Sequence, residues 1–170
     1  MGRGSGRRQA PVCRAMSHAF WDWSLECYDR PAVASACLRL QDQHGLNINI
    51  CLWCCWLAEE GRTAGPAIAQ AINALKSWNG EITAAIRDIR RKLKDQPRAG
   101  ALYRSVLACE LDAEQVEQDI LFELAADLPA SPWNKEETAA RALDEYARTR
   151  SVQPDFTPLL KAVFSTVKKV

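Results

Sequence analysis

A chain of 170 residues, 48% hydrophobic and 25% charged with a formal net charge of +1, can bury roughly two-thirds of its unfolded surface in one core without disulfide or metal staples. That balance excludes wholesale disorder, and eight glycines and eight prolines without a period exclude collagen-like and low-complexity chains. The longest apolar run, residues 48–58, contains Asn49 and falls short of the roughly 20 residues a membrane span needs.

The near-neutral charge hides an asymmetry. Arg3, Arg7, Arg8 and Arg14 stand in the first fifteen residues without an acid, leaving 18 of the 22 basic side chains to face all 21 acidic ones. No hydrophobic stretch follows of the kind an export signal requires. Residues 1–16 are therefore expected to be a disordered basic leader, with Met16, just before the ordered pattern, as an alternative start.

Every long segment repeats at helical spacing, and none alternates as a strand does. A first helix is predicted over residues 17–28, and Asp29-Arg30-Pro31 restarts the chain. Val33, Ala36, Cys37 and Leu40 stripe the second helix, which Gly45 ends. Asn47 or Asn49 caps a third over residues 50–59, apolar on all sides and hence expected at the centre. Gly65-Pro66 opens a fourth helix carrying Ile68, Ala71, Ile72 and Leu75. Asn79 starts a fifth, striped by Ile82, Ala85, Ile86, Ile89 and Leu93.

After the turn at residues 96–100 comes the longest helix. Leu102, Val106, Cys109, Ala113, Val116, Ile120 and Leu124 recur there at steps of three and four, which predicts a buried seam. Residues 128–132 are the clearest linker, and Asn134 with Glu137 caps a seventh helix. Thr157-Pro158 begins a short tail with Leu160, Val163, Phe164 and Val167 on one face, expected to dock on its own domain or to form a homodimer. The sum is an all-α, compact, irregular or orthogonal bundle of about six core helices over residues 17–128. A C-terminal helical extension, residues 129–170, completes it.

Several strings together resemble a known family. They are Phe20-Trp21-x-x-Ser24-Leu25-x-x-Tyr28, Ala36-Cys37-Leu38-x-Leu40-Gln41, Gly45-x-Asn47-x-Asn49 and Leu52-x-x-x-Trp56-Leu57. Trp78, Ile86-Arg87-x-x-Arg90-Arg91-x-Leu93-Lys94 and Glu110-Leu111-x-Ala113-Glu114 continue the pattern. The chain is similar over residues 18–125 to a bacterial, mainly proteobacterial, all-helical family of unknown function. The resemblance implies a helical fold and brings no activity with it.

Seven cysteines, an odd number, lie mostly on apolar helix positions, which suits reduced thiols in a cytoplasmic protein better than disulfides. Cys51-x-x-Cys54-Cys55 could offer two thiols to one metal. A structural zinc takes four ligands, and neither Cys27, Cys37 nor His44 is spaced as the second pair, so no metal and no cofactor is expected. The two histidines, His18 and His44, fit no Glu-x-x-His pair, and no nucleotide loop or nucleophile elbow is present. No catalytic residue is expected.

Three roles remain. The first is a non-catalytic binding or adaptor module with a protein partner. The second is an apolar ligand pocket or enzyme site floored by Trp53 and Trp56, with Gln41, His44 and Asn49 supplying polarity. The third is a nucleic-acid accessory using the basic run of residues 87–94, disfavoured by the low net charge. Arg90, Lys94, Arg87 and Arg91 lie at about 80°, 120°, 140° and 180° from Ile82. Glu117, Glu110 and Glu114 lie at about 60°, 80° and 120° from Leu102 on the next helix. A hairpin of the two brings both rows to one flank, which predicts ion pairs of Arg87 with Glu110 and Arg91 with Glu114.

Overall fold

The computed structural model describes residues 17–165; the basic leader, residues 1–16, and Val167 lie outside them. The helices in order are α1 (Ala19–Tyr28), α2 (Pro31–His44), α3 (Ile48–Glu59), α4 (Ile68–Trp78), α5 (Ala84–Leu93), α6 (Gly100–Leu124), α7 (Lys135–Thr149) and α8 (Thr157–Phe164). A 3-10 turn, Gly65–Ala67, precedes α4, and a π-helical segment, Asn79–Thr83, joins α4 to α5. The fold is all-α, and among the described residues the one β pairing is an isolated bridge between Arg62 and Ala130.

Local chemistry sets several helix ends. His18 Nδ1 accepts the Trp21 amide at 3.1 Å and starts α1. Pro31 occupies the first turn of α2, and Gly45 ends it at φ 63°, a left-handed conformation that a Cβ would strain. Asn47 caps α3 through its Oδ1 and the Ile50 amide, so α3 begins two residues earlier than expected and Asn49 falls inside it. The Asn134 side chain accepts the Glu137 amide at 2.9 Å and starts α7.

Every residue of α3 from Asn49 to Ala58 is buried, and the helix packs against α1, α2, α6 and α7. An all-round apolar helix has no face to give to water, so the other helices wrap it. Each large side chain it buries contributes about 1.5–3 kcal/mol.

Four expectations need correction. The break at Asn79 does not occur, because α4 runs through the π segment directly into α5. The wide turn brings Trp78 Nε1 to the Ala113 carbonyl at 3.0 Å and Asn79 Nδ2 to Glu117 at 2.9 Å, and these bonds to α6 hold the irregularity in place.

The predicted seam of α6 is only partly its buried face: Ala113 is buried and Ile120 and Leu124 pack against the core, but the N-terminal part of the seam faces outward. Leu102 is 55% exposed and Cys109 is exposed, whereas Glu110, Ala113, Glu117, Gln118 and Leu121 are buried. The inward face is rotated about 80° from Leu102, because polar groups on α1, α3 and the π segment offer the Glu and Gln side chains partners. The expected stripe of the fifth helix fails too: α5 has no buried residue, and Ile89 is half exposed.

Finally, residues 129–165 pack into the same core as the rest of the described chain and do not extend from it. Thr63 N–H donates to the Pro129 carbonyl and Ser131 N–H to the Gly61 carbonyl, pinning the linker to the end of α3. Leu143 and Tyr146 of α7 and Leu159 and Val163 of α8 join the same core as Trp53. Arg30 caps the end of α8 by donating from Nη1 to the Ala162 and Val163 carbonyls. The buried residues of α8 are thus covered by α2 and α7 of its own chain.

Candidate functional site

A cavity of about 550 Å³ opens between α1, α2, the start of α3, α5 and α6. Its rim is apolar and wet: Leu25, Tyr28, Leu38, Leu107 and Leu111 are each 40–50% exposed. They are half of the large hydrophobic side chains left exposed among the described residues, gathered from three helices onto one opening.

The floor is polar and dry. Glu117 is fully buried and forms no ion pair among the described residues; three side-chain amides solvate it instead. Asn47 and Asn49 donate to Oε2 at 2.8 and 3.0 Å, and Asn79 donates to Oε1 at 2.9 Å. The chain of bonds continues outward. Gln118 Nε2 donates to Asn49 Oδ1, and Ser24 Oγ donates to Gln118 Oε1, both at 2.9 Å. A buried carboxylate is costly unless its lone pairs are met, and here each oxygen is met by neutral donors drawn from separate segments.

One wall is ionic. Arg87 donates from Nε to Glu110 at 3.0 Å and from Nη2 to Glu114 at 2.9 Å, and Arg90 also binds Glu110. Burial pushes the Glu114 carboxyl up, with Glu110 and Glu117 adding to the shift and Arg87 opposing it. The hydrogen bond to Glu110 holds the Arg90 guanidinium above its ordinary value.

The expected site residues divide. Gln41 and Asn49 line the cavity, but Trp53 and Trp56 do not. Trp53 is wholly buried with its indole N–H unpaired among the described residues, and Trp56 stacks on Phe20 at 5.2 Å, because α3 is covered on all sides. The aromatic rings at the cavity are Trp21 and Tyr28 of α1. His44 sits apart, in a small hollow with Asp155, because it closes the last turn of α2 on the side facing α8. Arg91 binds Asp42 of α2 at 3.1 Å instead of Glu114, since Arg87, one turn earlier, already occupies that carboxylate. Three arginines of the basic run are thereby engaged in ion pairs.

Gln118 escaped the sequence reading, which gave Ser24 and Asn79 no site role and placed Glu117 only on the acidic row of the hairpin. The spacing of Glu110, Glu114 and Glu117 does put them on one face of a helix, and that was the available signal.

Five of the thiols among the described residues lie in the core. Cys27, Cys37, Cys51, Cys54 and Cys55 are buried and free. Burial pushes the Cys37 thiol up to about 12 and the thiols of Cys51, Cys54 and Cys55 well above their ordinary value. Cys27 is raised as well, despite Arg30 donating to its sulfur. Among the described residues no group of three His, Cys, Asp or Glu side chains could hold a metal ion, and no helix is long and apolar enough to cross a membrane.

A family model described as "Protein of unknown function (DUF2390)" matches residues 19–121, a stretch that includes every residue lining the cavity. No curated protein and no solved structure matches the chain.

Proposed function

The chain belongs to this family of unknown function, and from the cavity itself we propose that the protein is a non-catalytic binding module for a small amphipathic molecule. The apolar body of the ligand lies against the leucine collar, and its polar end reaches toward the amides of the floor. The observation that carries the reading is the pairing of an exposed apolar rim with a dry polar floor. A helical bundle selected for stability alone would fill the floor with leucines; burying Glu117 among three asparagines costs stability that a preorganised site uses. The cavity also falls within the roughly 300–1,000 Å³ range of small-molecule sites. Five buried, protonated thiols without a disulfide favour a reducing, cytoplasmic setting.

Trp21 lines the cavity, so its fluorescence reports occupancy. Titration with 1-decanol, a neutral amphiphile, should quench or shift that emission to saturation, and Leu111→Asp should abolish the effect without unfolding the chain. Emission that does not saturate in the wild type, or saturates equally in Leu111→Asp, overturns the reading.

A further inference from the structure

A second hollow, also of about 550 Å³, adjoins the cleft between the end of α2, the start of α3, the α4–α5 segment and α7. Gln41, Asn47, Asn79 and Arg87 line both hollows and form the ridge between them. We propose that the two are halves of one site, with the second hollow receiving an oxyanion head, so that the ligand is an anionic amphiphile. This rests on the reading of the cleft as a ligand site.

The charge on the two sides differs. In the cleft, Arg87, Arg90 and Arg104 face Glu110, Glu114 and Glu117, and the lining is neutral. In the second hollow, Lys76, Arg87, Arg91 and Arg150 face a single carboxylate, Asp88. Lys76 and Arg150 form no ion pair among the described residues. Arg91 holds only Asp42, in a pair more than half exposed on both sides, which a bound anion can replace at little cost.

Two further features suit an oxyanion. Asn47 and Ile50, from the first turn of α3, also line this hollow. The dipole of that twelve-residue helix favours negative charge there, while the Asn47 and Ile50 N–H groups are spent on the Tyr146 hydroxyl and the Asn47 side chain. Gln41, half-buried on the ridge, makes no side-chain hydrogen bond among the described residues, so its amide is free to meet the ligand where chain joins head. A phosphate or carboxylate supplies this chemistry equally, and a neutral head does not.

The test titrates the full chain with decyl phosphate, decanoate and 1-decanol, following Trp fluorescence, for the wild type and for the variant carrying Lys76→Gln and Arg150→Gln. Both substituted residues are exposed, so an unchanged melting midpoint is expected and confirms the fold. The wild type should bind at least one anionic probe about tenfold more tightly than decanol, with the preference falling at high salt. In the variant that preference should collapse while decanol affinity holds. Equal affinity for the charged and neutral probes, or a preference that survives the variant, overturns the oxyanion half and leaves the cleft reading standing. Failure of all three probes overturns both. If only one of decyl phosphate and decanoate shows the preference, that probe identifies the head.

Discussion

Replacing Glu117 in two ways separates the charge of the floor from its hydrogen bonding. In Glu117→Leu the carboxylate that three amides solvate is gone, and the Asn47, Asn49 and Asn79 NH₂ groups lose their acceptor. Each buried donor left unsatisfied costs about 1–3 kcal/mol. Two of the three cannot turn over to escape. Asn47 Oδ1 is held by the Ile50 amide and Asn49 Oδ1 by Gln118, whereas Asn79 Oδ1 has no partner among the described residues. The expected loss is therefore about 3–5 kcal/mol, set mainly by the two locked asparagines.

In Glu117→Gln the amide oxygen can face Asn47 and Asn49, while the new NH₂ faces Asn79, which flips to present its oxygen. Weaker neutral bonds replace charge-assisted ones, and the desolvation of a buried charge is relieved at the same time, so the variant should lie within about 2 kcal/mol of wild type. Urea titration at neutral pH reads both as midpoint shifts at unchanged slope, and in a melt the leucine variant should fall by roughly 10 °C. If leucine is tolerated as well as glutamine, the three amides do not depend on Glu117 and the account of the floor is wrong.

In a double-mutant cycle, Arg87→Met and Glu110→Leu should show a coupling of about 1–3 kcal/mol, because Glu110 is buried and the pair is direct; additive losses would refute the ionic wall. Thiol labelling resolved by peptide mass should tag Cys109 at once. Cys37, Cys51, Cys54 and Cys55 should react only on unfolding, since burial keeps them protonated; fast labelling of any of these four contradicts their place in the core. Leu159→Ala on α8 should cost about 2–5 kcal/mol in the same cooperative transition as the rest of the chain, whereas a separate transition would restore the C-terminal stretch as its own unit.

The helical period, the cap at Asn134, a cap of α3 at Asn47 or Asn49, the stop at Gly45 and the burial of α3 were legible in the amino-acid order. Each depends on residues within a turn or two of one another, and α3 has no polar face to choose between. Other features depended on partners far away in the chain. Hydrophobic periodicity assigns the inside of a helix to its apolar stripe, and on α6 that points to Leu102 and Cys109. The tertiary structure turns Glu110, Glu117 and Gln118 inward instead, because Arg87, Asn47, Asn49, Asn79 and Ser24 arrive there from four other segments and satisfy them. The same logic places the cavity. Trp53 and Trp56 stand out in the sequence, but on a helix covered from every side they can only fill space. Trp21 and Tyr28 meet the opening because α1 lies at the edge of the bundle. Local sequence determines where each helix starts, stops and could be buried; which polar side chains are buried together is decided only when distant donors and acceptors meet, since a carboxylate such as Glu117 can leave water only where those partners are already in place.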